Sequence, residues 1–208
     1  MNRKIIRILI IALAAGLGLA LSSQLFKPKT PAVAQSAMET VRLINAPRAL
    51  PEFALETQQG SLGNKDLMGR WTVVFIGFTH CPDICPTTLS DMARAQALWE
   101  SSGLRAKPKL LFVSIDPERD TPAKIAEYAA YFHKDTLTAT ATGPQLAEFT
   151  RALGLVYMKV PQGDSYTMDH SATLAVINPR GEFAGIIRPP LNPEAIARDL
   201  LALSKVLP

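Results

Sequence analysis

The sequence predicts an α/β fold in which a central mixed sheet is flanked by helices. Two apolar runs rich in β-branched and aromatic residues, at residues 71–78 and 109–115, each precede a segment with helical periodicity. A β-hairpin is predicted within residues 172–187, and a final helix from Asn192 onward. Because strands that alternate with helices pair mainly in parallel, the closing hairpin makes the predicted sheet mixed.

The first half of the domain is predicted to contain two strands followed by a helix, and the second strand is the most apolar run of the domain. Residues 53–57 alternate as in a strand, and residues 58–60 form a turn. Residues 71–78 are too apolar for a half-exposed strand and suit a central, buried one. Apolar residues then recur at helical spacing at Leu89, Met92, Ala93, Leu98 and Trp99.

A second unit of strand, loop and helix follows. Its strand is predicted at residues 109–115 and its loop at residues 116–120. The helix begins with Thr121 as its N-cap and Pro122 in its first turn, and it ends near His133.

The second half of the domain is predicted to contain a helix at residues 144–153, a strand at 155–160, and a hairpin. The hairpin consists of strands at residues 172–178 and 182–187 around the turn at 179–181. The last helix directs three apolar residues inward, namely Ile196, Leu200 and Leu203. A βαβ half followed by a ββα half is the order of a thioredoxin-like fold.

Residues 1–26 are predicted to form a membrane anchor. A basic start, with Arg3, Lys4 and Arg7, precedes 14 residues without a polar side chain, and the uncharged stretch is 19 residues long through Phe26. A spanning helix needs about 20. Residues 32–34 resemble a signal-peptide cleavage site, but they lie eleven residues beyond the apolar run. An uncleaved, single-pass signal anchor is therefore favoured over a cleaved signal peptide, with the domain outside the cytoplasm.

Residues 27–49 are predicted to be a flexible linker, because Pro, Ala and polar residues occur there without clear periodicity. Residues 50–208 then form the folded domain. Of the 22 basic and 18 acidic residues, seven basic residues and one acidic residue lie in residues 1–49. The domain is left with 15 basic and 17 acidic groups, so its charge gives no case for nucleic-acid binding.

Both cysteines of the chain, Cys81 and Cys85, lie between the strand at residues 71–78 and the helix after it. The N-terminus of a helix stabilises thiolates, which favours a redox-active dithiol or a soft-metal site. The three intervening residues do not decide between these, although thioredoxin-type reductants normally have two. A pair of inert core cysteines is disfavoured by the flanking prolines and Asp83, and a purely structural disulfide is also disfavoured.

A soft ion held by two thiolates, such as Cu(I) or Zn(II), needs a further ligand. His170 is a candidate, because the loop before the strand at 172–178 packs beside the redox cysteines in a thioredoxin-like fold, although a lone histidine there is more often a loop residue. His80 is a weaker candidate, and His133 is interpreted as a surface residue that caps a helix. Two sulfurs and one nitrogen suit trigonal Cu(I), or Cu(II) with one added ligand. Asp169 is a candidate to orient the imidazole.

Residues 116–122, with the sequence Asp-Pro-Glu-Arg-Asp-Thr-Pro, contain enough acidic side chains to suggest a hard-metal site. The prolines and the helix cap favour a rigid loop between strand and helix instead.

Three motifs together resemble the Sco/SenC family. They are Phe-Thr-His-Cys-Pro-Asp-Ile-Cys-Pro at residues 78–86, the loop at 116–122, and Asp-His-Ser at 169–171 with Pro-Arg-Gly at 179–181. The motifs occur in the family's order, and the resemblance covers the whole chain. It implies a membrane-anchored, thioredoxin-like protein that binds one copper ion per domain through Cys81, Cys85 and His170.

The resemblance also implies a function and its partners. The protein is expected to be a copper chaperone that receives copper from an upstream donor protein and delivers it to the binuclear copper A centre in subunit II of cytochrome c oxidase. It is expected in the bacterial inner membrane, with its domain in the periplasm. An alternative function is a thiol:disulfide reductase that keeps the acceptor-site cysteines reduced, with Cys81 and Cys85 as the redox-active pair.

Two other thiol-based functions are disfavoured. A peroxiredoxin requires Pro and Thr at set positions before its reactive cysteine, and those positions hold Val74 and Phe78, or Phe78 and Pro82. A general reductant of cytochrome c maturation is expected to carry Cys-x-x-Cys and would not require His170.

Overall fold

The computed structural model describes residues 38–206. Its elements in chain order are β1 (Arg42–Ala49), β2 (Ala54–Thr57), β3 (Gly60–Gly63), a 3-10 turn (Asn64–Leu67), β4 (Thr72–Gly77), α1 (Ile84–Glu100), β5 (Lys109–Ser114), α2 (Pro122–Phe132), β6 (Leu137–Ala139), α3 (Gly143–Ala152), β7 (Tyr157–Gln162), β8 (Ser165–His170), β9 (Leu174–Ile177), β10 (Glu182–Ile187) and α4 (Pro193–Val206). Within residues 38–206, no helix has the length and apolar character needed to cross a membrane. The predicted anchor at residues 1–26 lies outside the described residues.

A mixed sheet of six strands forms the centre of the domain, in the order β1-β10-β9-β4-β5-β6. Strands β4, β5 and β6 pair in parallel, whereas β9 pairs antiparallel with both β4 and β10. Helix α1 packs along α4. The predicted mixed α/β architecture is therefore confirmed.

The two central strands are buried along their whole length. In β4, the four residues Val73 to Ile76 have no exposed surface, and the same holds for Leu110 to Val113 in β5. A strand that is covered on both faces needs apolar side chains at every position rather than at alternate ones. This explains the continuous apolar runs in the sequence.

The predicted helices and their caps are confirmed. The Thr121 side chain accepts a hydrogen bond from the backbone N–H of Lys124 at 3.3 Å, and Pro122 occupies the first turn of α2. Three inward positions of α4, at Ile196, Leu200 and Leu203, are buried. The apolar and capping residues thus specify where these helices begin and which side faces the core.

The predicted linker at residues 27–49 is too long. Its last eight residues, Arg42–Ala49, form the edge strand β1, which pairs antiparallel with β10. Most side chains of β1 lie on the surface, so the strand has no apolar alternation to reveal it and depends on backbone hydrogen bonds. Gly185 of β10 permits this pairing, since a Cβ there would lie 2.5 Å from the carbonyl oxygen of Arg42.

A two-stranded ribbon replaces a predicted strand and a predicted loop. The strand predicted at residues 155–160 corresponds to β7, but it pairs with β8 rather than with the central sheet. Strand β8 covers Ser165–His170, which the sequence interpretation treated as a loop. Tyr157 of β7 lies opposite His170 of β8 in this ribbon.

The segment before β1 is attached to α4 through the buried carboxylate of Asp199. One oxygen of Asp199 accepts hydrogen bonds from the Thr40 N–H at 2.8 Å, the Thr40 hydroxyl at 3.0 Å and the Val41 N–H at 3.1 Å.

Asp199→Ala leaves these donors without their acceptor, so we expect the free energy of unfolding in urea to fall by about 2 kcal/mol. Glu39→Gln is the control, because Glu39 joins Arg198 on the exposed surface and should change stability by less than about 0.5 kcal/mol. Equal effects of the two substitutions would contradict this account.

Candidate metal and dithiol site

The two cysteines lie where β4 passes into α1. Cys81 is in the connecting loop, and its N–H donates to the Phe78 carbonyl at 3.2 Å. Cys85 is in the first turn of α1, and its N–H donates to Sγ of Cys81 at 3.4 Å. Both are free thiols, with Cys81 9% exposed and Cys85 fully buried. An amide at a helix N-terminus that points at sulfur favours negative charge on that sulfur.

Gly77, the last residue of β4, allows the buried sulfur to sit close to the sheet. A Cβ on Gly77 would lie 2.7 Å from Sγ of Cys85 and 2.9 Å from Cε2 of Phe112. Both distances are shorter than normal van der Waals contact. The absence of a side chain at Gly77 therefore sets the depth at which Cys85 is buried.

His170 completes the cluster from β8. Its Nε2 lies 3.4 Å from Sγ of Cys85, and its Nδ1 lies 3.1 Å from the Ser171 carbonyl oxygen. Because a carbonyl only accepts hydrogen bonds, Nδ1 carries the proton and the Nε2 lone pair faces the thiol. The Ser171 carbonyl thus performs the orienting role predicted for Asp169, whose exposed side chain forms no hydrogen bond with His170.

The structure brings together the three residues predicted as a site. Sγ of Cys81, Sγ of Cys85 and Nε2 of His170 all lie within 4.8 Å of one another. The rings of Phe75 and Phe78 contact the His170 ring edge to face, with centroids 5.9 and 6.3 Å away. Two sulfurs and one imidazole nitrogen against an apolar wall form a ligand set that fits a soft metal ion.

Burial sets the protonation of the metal-free site. It raises the pKa of the Cys85 thiol, and the hydrogen bond with Cys81 acts in the same direction. Burial lowers the pKa of His170, and the hydrogen bond to the Ser171 carbonyl opposes that change only in part. At neutral pH the pair is therefore a thiol beside a neutral imidazole.

The acidic loop at residues 116–120 holds the cysteine loop in place. The buried carboxylate of Asp120 accepts hydrogen bonds from the Thr79 N–H at 2.8 Å, from the Thr79 hydroxyl, and from the Ser114 hydroxyl at 2.7 Å. Asp116 accepts from Arg119 at 2.5 Å and from the Tyr166 hydroxyl at 2.8 Å. Protein donors occupy these carboxylates, as expected for a rigid connection rather than a hard-metal site.

The other two histidines lie elsewhere. His80 is 47% exposed and points toward Thr79, Lys124 and Asp120 rather than toward the thiols. His133 caps α2 as predicted, but its side chain is only 12% exposed and its Nε2 lies 3.7 Å from Glu100. The interpretation of His133 as a surface residue was therefore wrong, because the end of α2 packs near the end of α1.

Sequence reasoning predicted His170 but missed the strand that carries it and the Ser171 carbonyl that orients it. Tyr166, Met168 and His170 occur at every second position of β8, and Met168 is buried while the other two are half-buried. This alternation is typical of a strand and was available in the sequence. The Ser171 carbonyl gives no such indication, because it is a backbone group.

Comparison with known proteins identifies the family. The SCO1/SenC family model matches residues 42–205, which is more than half of the chain. The chain belongs to the SCO1/SenC family.

Curated relatives match most of this chain. A protein named putative copper-binding protein, from Stutzerimonas stutzeri, is 36% identical over 162 residues, which cover 77% of this chain and 79% of the relative. The human protein named SCO1 homolog, mitochondrial, is 37% identical over 150 residues, which cover 70% of this chain and 49% of that protein. This chain thus spans about half the length of the human relative.

A solved SCO1/SenC structure has a similar fold. The structure of ScoI from Bradyrhizobium japonicum with copper bound has a TM-score of 0.67 and 32% sequence identity, and the match covers 74% of this chain and 98% of that one. The α/β fold with its central mixed sheet is therefore the fold of this family.

Gly77→Ala tests the close approach of the sheet to the thiol. Since the added methyl group overlaps Sγ of Cys85 and the Phe112 ring, we expect a loss of about 1–3 kcal/mol in unfolding free energy. Gly143→Ala is the matched control, because a Cβ there meets no atom within 4 Å. Urea denaturation of the reduced protein measures both. A Gly77→Ala protein as stable as the control would show that the thiol does not pack on Gly77.

Proposed function

We propose that this SCO1/SenC protein is a copper chaperone. It binds one copper ion through Cys81, Cys85 and His170 and delivers copper to the binuclear copper A centre in subunit II of cytochrome c oxidase. The observation that carries the proposal is the convergence of two thiol sulfurs and one imidazole nitrogen within 4.8 Å of one another.

The donor set favours copper over structural zinc. Structural zinc sites are nearly always closed by four protein ligands, and this cluster supplies three. Thiolate and imidazole are soft to borderline ligands that suit Cu(I) in trigonal geometry, or Cu(II) with one additional ligand. The relative from Bradyrhizobium japonicum, whose structure has copper bound, supports the same metal.

Delivery requires ligands that can leave the metal one at a time. Cys81 is the more exposed thiol, so an incoming acceptor ligand reaches the metal beside it, whereas Cys85 lies at the base of the site. His170 belongs to the β7–β8 ribbon, which is not hydrogen-bonded into the central sheet. Movement of this ribbon would release the imidazole without breaking that sheet.

The cellular setting is part of the proposal. Residues 1–26 anchor the protein in the bacterial inner membrane and place the domain in the periplasm, where an upstream protein donates copper. In that oxidising compartment the two thiols are also exposed to disulfide formation. Oxidation of Cys81 and Cys85 would remove both thiolates and prevent copper binding.

A second function uses the same pair. The protein reduces a disulfide in the acceptor site before the metal arrives, with the more exposed Cys81 as the attacking thiol and Cys85 as the resolving one. The contact between the Cys85 N–H and Sγ of Cys81, at 3.4 Å, favours this candidate because it holds the attacking sulfur at a helix N-terminus.

Copper titration of the reduced, detergent-solubilised chain tests the main proposal. We expect one Cu(I) per chain and, with Cu(II), sulfur-to-copper charge-transfer absorption. Cys81→Ser and Cys85→Ser should each abolish that absorption. His170→Ala should weaken copper binding by at least about a hundredfold, as expected for the loss of a ligand and of its orientation.

His80→Ala is the matched control, because this histidine is adjacent to Cys81 but points away from the cluster. It should leave copper affinity within about twofold, which is a difference of about 0.4 kcal/mol. If His80→Ala weakens binding as much as His170→Ala, or if the wild-type chain binds neither ion at stoichiometric concentration, the proposed site is wrong.

Copper affinity should rise with pH. Because burial raises the pKa of Cys85, its thiol is protonated at neutral pH and must lose that proton when the metal binds. The lowered pKa of His170 leaves its imidazole neutral, so no proton has to leave Nε2 when the metal binds. Competition with a Cu(I) chelator between about pH 6.5 and about pH 8 should show roughly a tenfold gain per pH unit for each thiol proton released. A binding constant independent of pH over this interval would contradict the assignment.

The reductase activity is separated from copper binding by His170→Ala. Disulfide exchange with a peptide from the acceptor site should persist in this variant, because the two cysteines remain. Cys81→Ser should abolish the exchange. Loss of exchange in His170→Ala while copper binding stays intact would favour the reductase over the chaperone.

A further inference from the structure

The ribbon that carries His170 is attached to the acidic loop by Tyr166, by Arg119 and, on the exposed side, by the ion pair between Lys159 and Glu118. The Tyr166 hydroxyl donates to Oδ1 of Asp116 at 2.8 Å, and Nη1 of Arg119 donates to the Tyr166 carbonyl at 3.1 Å. Nε of Arg119 donates to the other oxygen of the same Asp116 carboxylate. Tyr166, Arg119 and Asp116 therefore form a closed arrangement, which we call the ribbon clamp.

Aromatic contacts strengthen the ribbon clamp. The guanidinium of Arg119 lies over the Tyr166 ring at 3.8 Å and near the Phe78 ring at 5.8 Å. On β7, the Lys159 ammonium also lies 3.8 Å from the Tyr166 ring. A cation above an aromatic face is attracted by the ring quadrupole. Arg119 thus links the ribbon to Phe78, whose ring contacts His170.

The same loop holds the other half of the site. Asp120 accepts hydrogen bonds from Thr79, two residues before Cys81. Asp116 and Arg119 hold Tyr166, four residues before His170 on β8. Residues 116–120 therefore fix the cysteines at one end and the histidine at the other, so the distance between sulfur and imidazole depends on both attachments.

We propose that Tyr166 and Arg119 are positioning residues that hold the His170 imidazole against the thiols and thereby set how tightly and how long the third ligand is bound. This inference rests on the proposed function, because it assigns the clamp a role in copper binding. Without the clamp, the two thiolates still bind copper, but the histidine occupies its place for a smaller fraction of the time.

Tyr166→Phe is the most conservative test. It removes the hydroxyl's hydrogen bond to Asp116 and its longer one to Glu118, and it keeps the ring that Arg119 and Lys159 contact. Tyr157→Phe is the matched control, since Tyr157 lies directly opposite His170 in the ribbon and no hydrogen bond of its hydroxyl contributes to the clamp. Arg119→Lys is a second variant, which keeps the charge but loses the paired contacts with Asp116 and with the Tyr166 carbonyl.

The first measurement needs no metal. The chain has three histidines, so nuclear magnetic resonance of the detergent-solubilised chain with labelled histidine resolves each ring. The signals that disappear in His170→Ala are those of His170. In Tyr166→Phe and Arg119→Lys, the His170 ring signals should shift toward those of an unstructured histidine as contact with Phe75 and Phe78 is lost. Unchanged His170 signals in both variants would overturn the inference, whatever the outcome for copper.

The second measurement uses copper and a double-mutant cycle. Tyr166→Phe should speed Cu(I) dissociation by about tenfold, as expected for the loss of a hydroxyl that donates to charged acceptors, while the sulfur-to-Cu(II) absorption remains. When His170→Ala is already present, adding Tyr166→Phe should have no further effect, because the tyrosine acts through the histidine.

Two outcomes of the copper measurement would count against the clamp. If Tyr166→Phe speeds Cu(I) dissociation equally in the presence and in the absence of His170→Ala, then Tyr166 acts on the fold or the thiols rather than through His170. An equal effect of Tyr157→Phe would show a general loosening of the ribbon. A wild-type chain that binds no copper would refute the proposed function, and the metal-free measurement would still decide whether the clamp positions His170.

Discussion

The candidate site depends on the buried carboxylate of Asp120. A carboxylate in the protein interior is costly unless its oxygens are hydrogen-bonded, and three donors from Thr79 and Ser114 meet that need here. Two of these donors belong to Thr79, in the loop between β4 and α1 that carries Cys81. The loop is therefore held in one position before any metal binds, so little ordering free energy has to be supplied at the moment of binding.

Burial keeps the Cys85 thiol protonated and shields its sulfur from solvent. Cys85 has no exposed surface and packs on Gly77, which holds its thiol in the protonated form when no metal is bound. A soft ion that displaces the proton recovers this cost, whereas an oxidant must reach a sulfur with little exposed surface. Cys81, at the edge of the same cluster, is the thiol available to partners. The proposed chaperone and reductase functions make different demands on the two sulfurs, and one arrangement is compatible with both.

The sequence predicted the parts of the fold that bury apolar side chains. Strands β4 and β5, the capped helix α2 and the joint that carries Cys81 and Cys85 follow from apolar runs, cap residues and spacing. Strand β1 was missed because its side chains are mostly exposed, and β6 because it has only three residues. The two cysteines came from their position between a strand and a helix, and the choice of His170 over the other histidines came from the family resemblance. Their orientation came from neither, since it depends on a backbone carbonyl at Ser171 and on the pairing of β8 with β7.

The central claim is that two thiolates and one imidazole hold the copper. X-ray absorption of the reduced, Cu(I)-loaded chain tests it most directly, because sulfur and nitrogen neighbours scatter differently. We expect two sulfur atoms and one nitrogen atom around each copper ion, and a loss of the nitrogen alone in His170→Ala. A copper ion with fewer than two sulfur neighbours, or one whose surroundings do not change in His170→Ala, would contradict the account.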